Sequence, residues 1–138
     1  MPTDQIDATF DAYAERFGAF DTDGICDFWI VPAVISVGGT NSIFESDDAF
    51  KCNITSLCKF YKKQGVERAV ARVSSVEMLT PSCALTSVEY AVYDNQCNPI
   101  NDWKHLYILK NLDRRWRITF ALADEEVAAW ERRGTPLV

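Results

Sequence analysis

The feature that most constrains the fold is a strand hairpin predicted over residues 103–122. Two runs of alternating side chains, WKHLYILKNL and RWRITFAL, flank the two-residue turn Asp113-Arg114. If Leu112 pairs with Arg115 across this turn, successive side chains point to opposite faces of the sheet. One face then carries the single histidine of the chain among apolar and aromatic residues: His105, Tyr107, Leu109, Trp116, Ile118 and Phe120. The hairpin therefore predicts a lined pocket.

The opposite face of the hairpin has an apolar centre and basic ends. Its residues are Lys104, Leu106, Ile108 and Lys110 on the first strand, then Arg115, Arg117, Thr119 and Ala121 on the second. A polar rim around an apolar patch is typical of a modest protein interface. The pattern predicts a homodimer formed through the outer face of the sheet.

Length, charge and cysteine content bound the class of protein. A chain of 138 residues is expected to form one domain, residues 1–138, with a substantial core. The net charge of −6 argues against a nucleic-acid partner and against an anionic membrane surface, because both would repel the chain. No apolar run approaches the roughly 20 residues of a membrane span, and the N-terminus lacks the regions of a signal peptide. A cytoplasmic protein is expected.

The five cysteines, Cys26, Cys52, Cys58, Cys83 and Cys97, form no CxxC pair. With a single histidine, a zinc site built on Cys/His spacing is not expected. We interpret the cysteines as reduced thiols, and we expect no metal and no tightly bound cofactor.

Hydrophobic periodicity changes from helical to alternating near Val66. A helical stripe over residues 4–20 includes Tyr13 and Phe17, and Ser46 is the expected N-cap of a later helix that Gly65 ends. The predicted order begins with helices over 4–20 and 23–29, and Pro32 helps to end the second. Strands over 33–37 and 43–45 follow, and then the helix that Gly65 ends. The remaining elements are strands over 67–79, 84–94, 103–112 and 115–122 and a helix over 124–133. This order predicts an α+β fold with an antiparallel sheet packed against helices.

A turn at Thr80-Pro81 would join the strands over 67–79 and 84–94. In that register Arg72 lies opposite Glu89, and Ala71 lies opposite Tyr90. Glu89 is the one acidic residue central in a predicted strand, and a cross-strand ion pair with Arg72 explains it without catalysis.

Several short motifs resemble the nuclear transport factor 2-like superfamily, which includes SnoaL-like polyketide cyclases and ketosteroid isomerases. They are Phe28-Trp29-Ile30-Val31-Pro32 before the first strand, Gly38-Gly39 after it, the entry to the third helix over 43–48, and the ending over 111–118. The resemblance covers nearly the whole chain in element order and length. It implies a cone-shaped domain with a curved sheet wrapped round the first helix, an internal pocket and frequent dimerisation through the outer sheet face.

His105 is the sharpest candidate for chemistry, because its position predicts a general acid or base in a pocket, with Tyr107 two residues away. The resemblance to ketosteroid isomerases implies that Tyr13, on the first helix, is an oxyanion donor. The chain departs from that pattern, since no aspartate lies between Val31 and Phe44 and no carboxyl group is expected beside His105. An inert histidine near a strand end and a tyrosine in the core are the simpler alternatives.

Aromatic side chains are expected to line a cavity for a small apolar or aromatic molecule. They are Phe17, Phe28, Trp29, Tyr61, Tyr90, Trp116 and Phe120. The same side chains can equally fill a core. Three functions remain open: a small-molecule-binding domain, a cyclase, isomerase or dehydratase that uses His105, and a dimeric interaction module with a filled core. The missing inward carboxylate favours binding over catalysis.

Overall fold

The computed structural model describes residues 2–137, so the first and last residues of the expected domain lie outside the described residues. Four helices and six strands form the α+β fold that the sequence predicts. In chain order they are α1 Pro2–Gly18, α2 Thr22–Cys26, β1 Trp29–Val37, β2 Thr40–Phe44, α3 Asp47–Lys63, β3 Arg68–Thr80, β4 Cys83–Tyr93, β5 Pro99–Leu112, β6 Arg115–Leu122 and α4 Asp124–Arg133. None of the helices within this range is long and apolar enough to cross a membrane.

The six strands form one open, curved sheet in the order β2-β1-β6-β5-β4-β3. All neighbouring strands are antiparallel except β1 and β6, which run parallel. The expectation of a purely antiparallel sheet is therefore wrong at this pair. The chain crosses from β2 through α3 to the far edge of the sheet and returns by a meander, which brings β6 beside β1 in the same direction.

Strand β1 begins four residues before its predicted start, and α2 ends at Cys26 rather than Trp29. Pro32 therefore lies inside a strand, where it does not end a helix. The pairing of β1 with β6 is irregular between Trp29 and Val34, and a residue without a backbone N–H is tolerated where the ladder is interrupted.

Local predictions around α3 are confirmed, and the β3–β4 pairing is as predicted at Arg72 and Glu89. The predicted turn at Thr80-Pro81 is wrong, because irregularities between Val73 and Ser75 and between Met78 and Thr80 shift the pairing and place the turn at Pro81-Ser82. The Ser46 hydroxyl accepts a hydrogen bond from the Ala49 amide at 3.1 Å, which caps the helix. Gly65 follows the helix with φ +83°, a left-handed conformation that glycine adopts without strain. Arg72 lies opposite Glu89 and forms an exposed ion pair with it, as the register predicts.

The β5–β6 hairpin follows the predicted register only near its turn. Leu112 pairs with Arg115 and Leu109 with Ile118, but Ile108 then pairs with Phe120 and Tyr107 with Ala121. The extra residue, Thr119, makes a bulge in β6, and a slip of one residue moves every later side chain to the other face. The predicted faces of Phe120 and Ala121 are therefore wrong. Ala121 is buried on the inner face, and Phe120 is half-buried on the outer face.

The core lies between the concave face of the sheet and the helices. Helix α1 contributes the predicted apolar stripe, in which Ile6, Phe10 and Tyr13 are almost fully buried. Helix α4 closes the core against β5, and its Trp130 has no exposed surface. The helices thus hold the inner face of the hairpin away from solvent.

Candidate functional site

A cavity of about 420 Å³ lies between the inner face of the sheet and helices α1, α3 and α4. Its walls are mainly aromatic, and they include Tyr13, Phe17, Trp29, Tyr61, Tyr90 and Tyr107. Three polar residues, Ser42 on β2 with Asn53 and Ser56 on α3, line the cavity at its more exposed side. The cavity therefore has a mainly aromatic interior and a polar mouth between β2 and α3.

The structure brings most of the predicted site residues to this cavity. All three candidates for chemistry, Tyr13, His105 and Tyr107, line it. Four of the seven expected ligand-binding aromatic residues line it as well, namely Phe17, Trp29, Tyr61 and Tyr90. Tyr13 and Phe17, four residues apart, share one face of α1, and His105 and Tyr107, two apart, share one face of β5. Helix α3 and strands β1 and β4 contribute Tyr61, Trp29 and Tyr90.

Phe28, Trp116 and Phe120 lie away from the cavity. The Phe28 ring packs edge-on against Tyr13 at 5.5 Å. The Trp116 indole N–H donates to the Gln5 side chain at 3.2 Å, beneath the first helix. Phe120 lies on the outer sheet face because of the bulge at Thr119.

His105 is held in the inner wall of the sheet by aromatic neighbours. Its ring stacks on Tyr107 with centroids 5.3 Å apart and meets the edge of Tyr90 at 5.5 Å. Its Nδ1 atom is enclosed and has no hydrogen-bond partner within residues 2–137. Burial lowers the pKa of His105 to about 3, so the imidazole is neutral at physiological pH.

Glu126, which the sequence did not identify as a site residue, lies beside His105. Its Oε1 atom is 3.5 Å from His105 Nε2, and its side chain is 5% exposed. Its Oε2 atom accepts hydrogen bonds from the Tyr61 hydroxyl and, at 3.2 Å, from the Trp130 indole N–H. Burial raises the pKa of Glu126 to about 7, although both hydrogen bonds lower it. This carboxyl group therefore titrates well above the usual range of a glutamic acid.

The expectation that no carboxyl group lies beside His105 is wrong, because the acid comes from α4 rather than from a strand. Glu126 follows Asp124 and Glu125 in a first turn that is typical of a solvated helix N-terminus. One signal was present in the sequence. Glu126 precedes Trp130 by four residues, which places both on one face of a helix.

The tyrosine hydroxyls of the cavity form two further hydrogen-bonded groups. The hydroxyls of Tyr90 and Tyr107 are 2.8 Å apart, and the Tyr13 hydroxyl accepts from the Trp29 indole N–H at 2.9 Å. Burial raises the pKa of Tyr13, Tyr61, Tyr90 and Tyr107, so all four hydroxyls keep their protons at physiological pH. They are neutral groups that can orient a polar atom of a bound molecule.

The cavity wall combines one carboxyl group with one imidazole. Among the residues that the structure describes, no Lys, Arg or Asp side chain lines it. Within the same residues, no three His, Cys, Asp or Glu side chains lie close enough together to hold a metal ion. The arrangement suits the binding of a neutral molecule and the transfer of a proton to or from it.

The match to a family model extends over residues 4–126, and that family is described as NTF2-like protein (DUF6841). The search of curated proteins found no significant match. An NTF2-like protein of unknown function from Shewanella oneidensis MR-1 has a similar structure, with a TM-score of 0.70 at 17% identity. The alignment covers 88% of this chain and 98% of that one.

Two further solved structures share the fold. A ketosteroid isomerase-like protein from Erwinia carotovora atroseptica aligns with a TM-score of 0.63 at 13% identity, over 86% of this chain and 91% of its own. A candidate scytalone dehydratase from Novosphingobium aromaticivorans aligns with a TM-score of 0.64 at 9% identity, over 88% and 81%. At these identities the likeness concerns the fold alone. The family match spans most of the sequence, and the chain therefore belongs to the NTF2-like family DUF6841.

Proposed function

We propose that this protein binds a small, largely apolar or aromatic molecule in its internal cavity. The observation that carries the proposal is that the aromatic side chains leave about 420 Å³ open instead of filling the core. Ligand sites in proteins are typically cavities of roughly 300–1,000 Å³ with apolar walls and a few polar groups. This cavity has both features, and the open volume argues against an interaction module with a filled core.

Filling the cavity is expected to abolish binding. In Ala121→Leu the added atoms occupy the inner wall, since Ala121 is 2% exposed and lines the cavity. We expect the affinity for naphthalene, measured by quenching of tryptophan fluorescence, to fall at least tenfold. Overpacking of this kind costs about 1–3 kcal/mol of stability, so circular dichroism should verify that the variant is folded.

Ala91→Leu is the matched control for this experiment. Ala91 is half-buried on β4, alternates with the inward residues Tyr90 and Val92, and does not line the cavity. Its replacement should leave naphthalene binding unchanged. Equal binding by wild type, Ala121→Leu and Ala91→Leu would place the ligand elsewhere and contradict the proposal.

A second candidate function is that of an isomerase, cyclase or dehydratase in which His105 acts as acid or base. The observation in its favour is the carboxyl group of Glu126 beside the imidazole, because a group in this position can take up or release a proton. Tyr107 or Tyr13 would position the substrate. Incorporation of deuterium from D₂O into a bound ketone, followed by mass spectrometry, tests this function. Incorporation in the wild type that is lost in His105→Gln supports it, and equal rates in both proteins contradict it.

We also propose that the protein forms a homodimer through the outer face of the sheet. The bulge in β6 moves Phe120 to this face, opposite Ile108, so the apolar patch is larger than the sequence predicts. Leu106 adds a third half-buried apolar side chain, and the exposed Lys104 and Lys110 flank the patch. Such a patch with a charged rim is the anatomy of a protein interface.

A charge at the centre of this patch is expected to separate the subunits. Light scattering after size-exclusion chromatography should give twice the monomer mass for the wild type and the monomer mass for Ile108→Asp. Lys104→Ala, at the rim, should remain dimeric because rim residues contribute little to binding energy. A monomeric wild type at micromolar concentration would contradict the dimer.

The five cysteines are free thiols. Free thiols persist in reducing compartments, which supports the proposal that the protein works in the cytoplasm.

A further inference from the structure

We propose that His105 and Glu126 share one mobile proton at the cavity wall and together bind a hydroxyl group of the ligand. This inference rests on the proposed binding function, because it names the chemical group that the ligand carries. The ligand class is therefore a neutral, largely apolar alcohol or phenol.

Hydrogen bonds leave one atom of each side chain available at the contact. Oε2 of Glu126 already accepts from Tyr61 and Trp130, so a proton carried by the neutral acid lies on Oε1. Nδ1 of His105 is enclosed without a partner, which leaves the ring edge that carries Nε2. Oε1 and Nε2 are 3.5 Å apart, and both residues line the cavity.

These two atoms carry one proton between them in either ionisation state of Glu126. When Glu126 is protonated, its Oε1–H points to Nε2, and the imidazole proton is then on Nδ1. When Glu126 is ionised, Oε1 is a bare acceptor and Nε2 carries the shared proton, while the proton that Nδ1 held has been released to solvent. The neutral imidazole thus changes tautomer with the carboxyl group, and the pair always presents one donor and one acceptor.

A ligand hydroxyl complements this pair, because it donates one hydrogen bond and accepts another. The separation of 3.5 Å between Nε2 and Oε1 exceeds a normal hydrogen bond, so their direct interaction is weak. A ligand oxygen about 2.8 Å from each atom would make two good hydrogen bonds in their place. An ether oxygen can only accept, and a hydrocarbon can do neither.

The groups that face the pair do not supply a competing charge. Tyr61 from α3, Trp130 from α4, Tyr13 from α1, Tyr90 from β4 and Tyr107 from β5 surround it. The tyrosines stay neutral because burial raises the pKa of each, and no Lys, Arg or Asp side chain among residues 2–137 lines this cavity. The ionisation of Glu126 is therefore the event that changes the pair.

Nitrogen NMR of the ligand-free protein tests the shared proton, because His105 is the single histidine of the chain. With ¹⁵N-histidine labelling, we expect the ring to stay neutral from about pH 5.5 to about pH 8.5. As the pH rises, its proton should move from Nδ1 to Nε2 with a midpoint near pH 7.

In Glu126→Gln, which cannot ionise, the tautomer should not change with pH. In Glu125→Gln, an exposed neighbour on the same helix, the wild-type change should remain. A ring that becomes an imidazolium around its ordinary pKa of 6.5, or a tautomer that is constant with pH in the wild type, would overturn the proposal.

A matched set of three probes tests the hydroxyl. We expect 2-naphthol to bind at least tenfold more tightly than 2-methoxynaphthalene or naphthalene, and His105→Phe to remove this preference while naphthalene still binds. Equal affinity for the three probes would overturn the proposal and leave the binding function standing. Failure of all three to bind would contradict the binding function and the hydroxyl assignment together.

Discussion

Replacing Trp130 with alanine is expected to lower the free energy of unfolding by about 3–5 kcal/mol. Trp130 has no exposed surface. Its ring packs edge-on against Phe60 at 5.1 Å and at a tilt against Trp103 at 5.6 Å. The substitution leaves a large void between α4 and β5. It also removes the N–H that donates to Glu126, so a buried carboxyl group loses one of its two donors.

Urea denaturation followed by far-ultraviolet circular dichroism measures this effect without relying on tryptophan fluorescence. A loss of this size is a large part of a typical domain's stability. Trp130→Phe is therefore measured alongside as a milder variant, with a smaller expected loss. Arg132→Ala, at an exposed position of the same helix, should change stability by less than about 0.5 kcal/mol. A loss below about 1 kcal/mol in Trp130→Ala would show that α4 does not close the core in the way described.

Glu126→Gln is expected to change how stability depends on pH. Burial raises the pKa of Glu126 from its ordinary value of 4.5 to about 7, so the folded protein holds this proton more tightly than the unfolded chain does. The contribution of this proton to the free energy of unfolding is complete below about pH 4.5 and is lost as the pH rises to about 7. The loss amounts to about 3 kcal/mol. Glutamine does not ionise, so the variant does not suffer this loss. Between about pH 4.5 and about 7, its free energy of unfolding should therefore rise by about 3 kcal/mol relative to that of the wild type.

The contribution of His105 to stability changes with pH in the opposite direction. The effect of Glu126 is therefore visible only when the wild type is compared with Glu126→Gln. Burial lowers the pKa of His105 from 6.5 to about 3, so its contribution is complete above about pH 6.5 and is lost as the pH falls towards 3. Between about pH 4.5 and 6.5 the contributions of Glu126 and His105 to stability change in opposite directions. The stability of the wild type should therefore vary little with pH in this range. In Glu126→Gln only the histidine slope remains, so stability should fall with acid.

Denaturation at about pH 4.5, 5.5, 6.5 and 7.5 measures both curves. The exposed Glu125→Gln is the control, and its curve should follow the wild type. Parallel curves for wild type and Glu126→Gln would mean that Glu126 titrates as an ordinary surface acid. They would also remove the physical basis for a proton shared with His105.

Much of the fold follows from local patterns in the sequence. The Ser46 cap, the glycine after α3, the bounds of α4 and the pairing of Arg72 with Glu89 all depend on residues near one another in the chain or joined by a short turn. Alternation along β4 and β5 predicted the faces of Tyr90, His105 and Tyr107, all of which reach the cavity. Short-range geometry and hydrophobic period are enough for features of this kind.

By itself, the sequence determined the α+β class, most element bounds, the hairpin turn and the inward position of His105. The tertiary structure alone decided the parallel pairing of β1 with β6 and the burial of Glu126. It also decided the bulge at Thr119, which places Ala121 instead of Phe120 on the inner face of the sheet. Each of these depends on contacts between segments distant in the chain. Helix periodicity assigns a residue to a face, but only the packing of α4 on β5 removes Glu126 from water and places it beside His105.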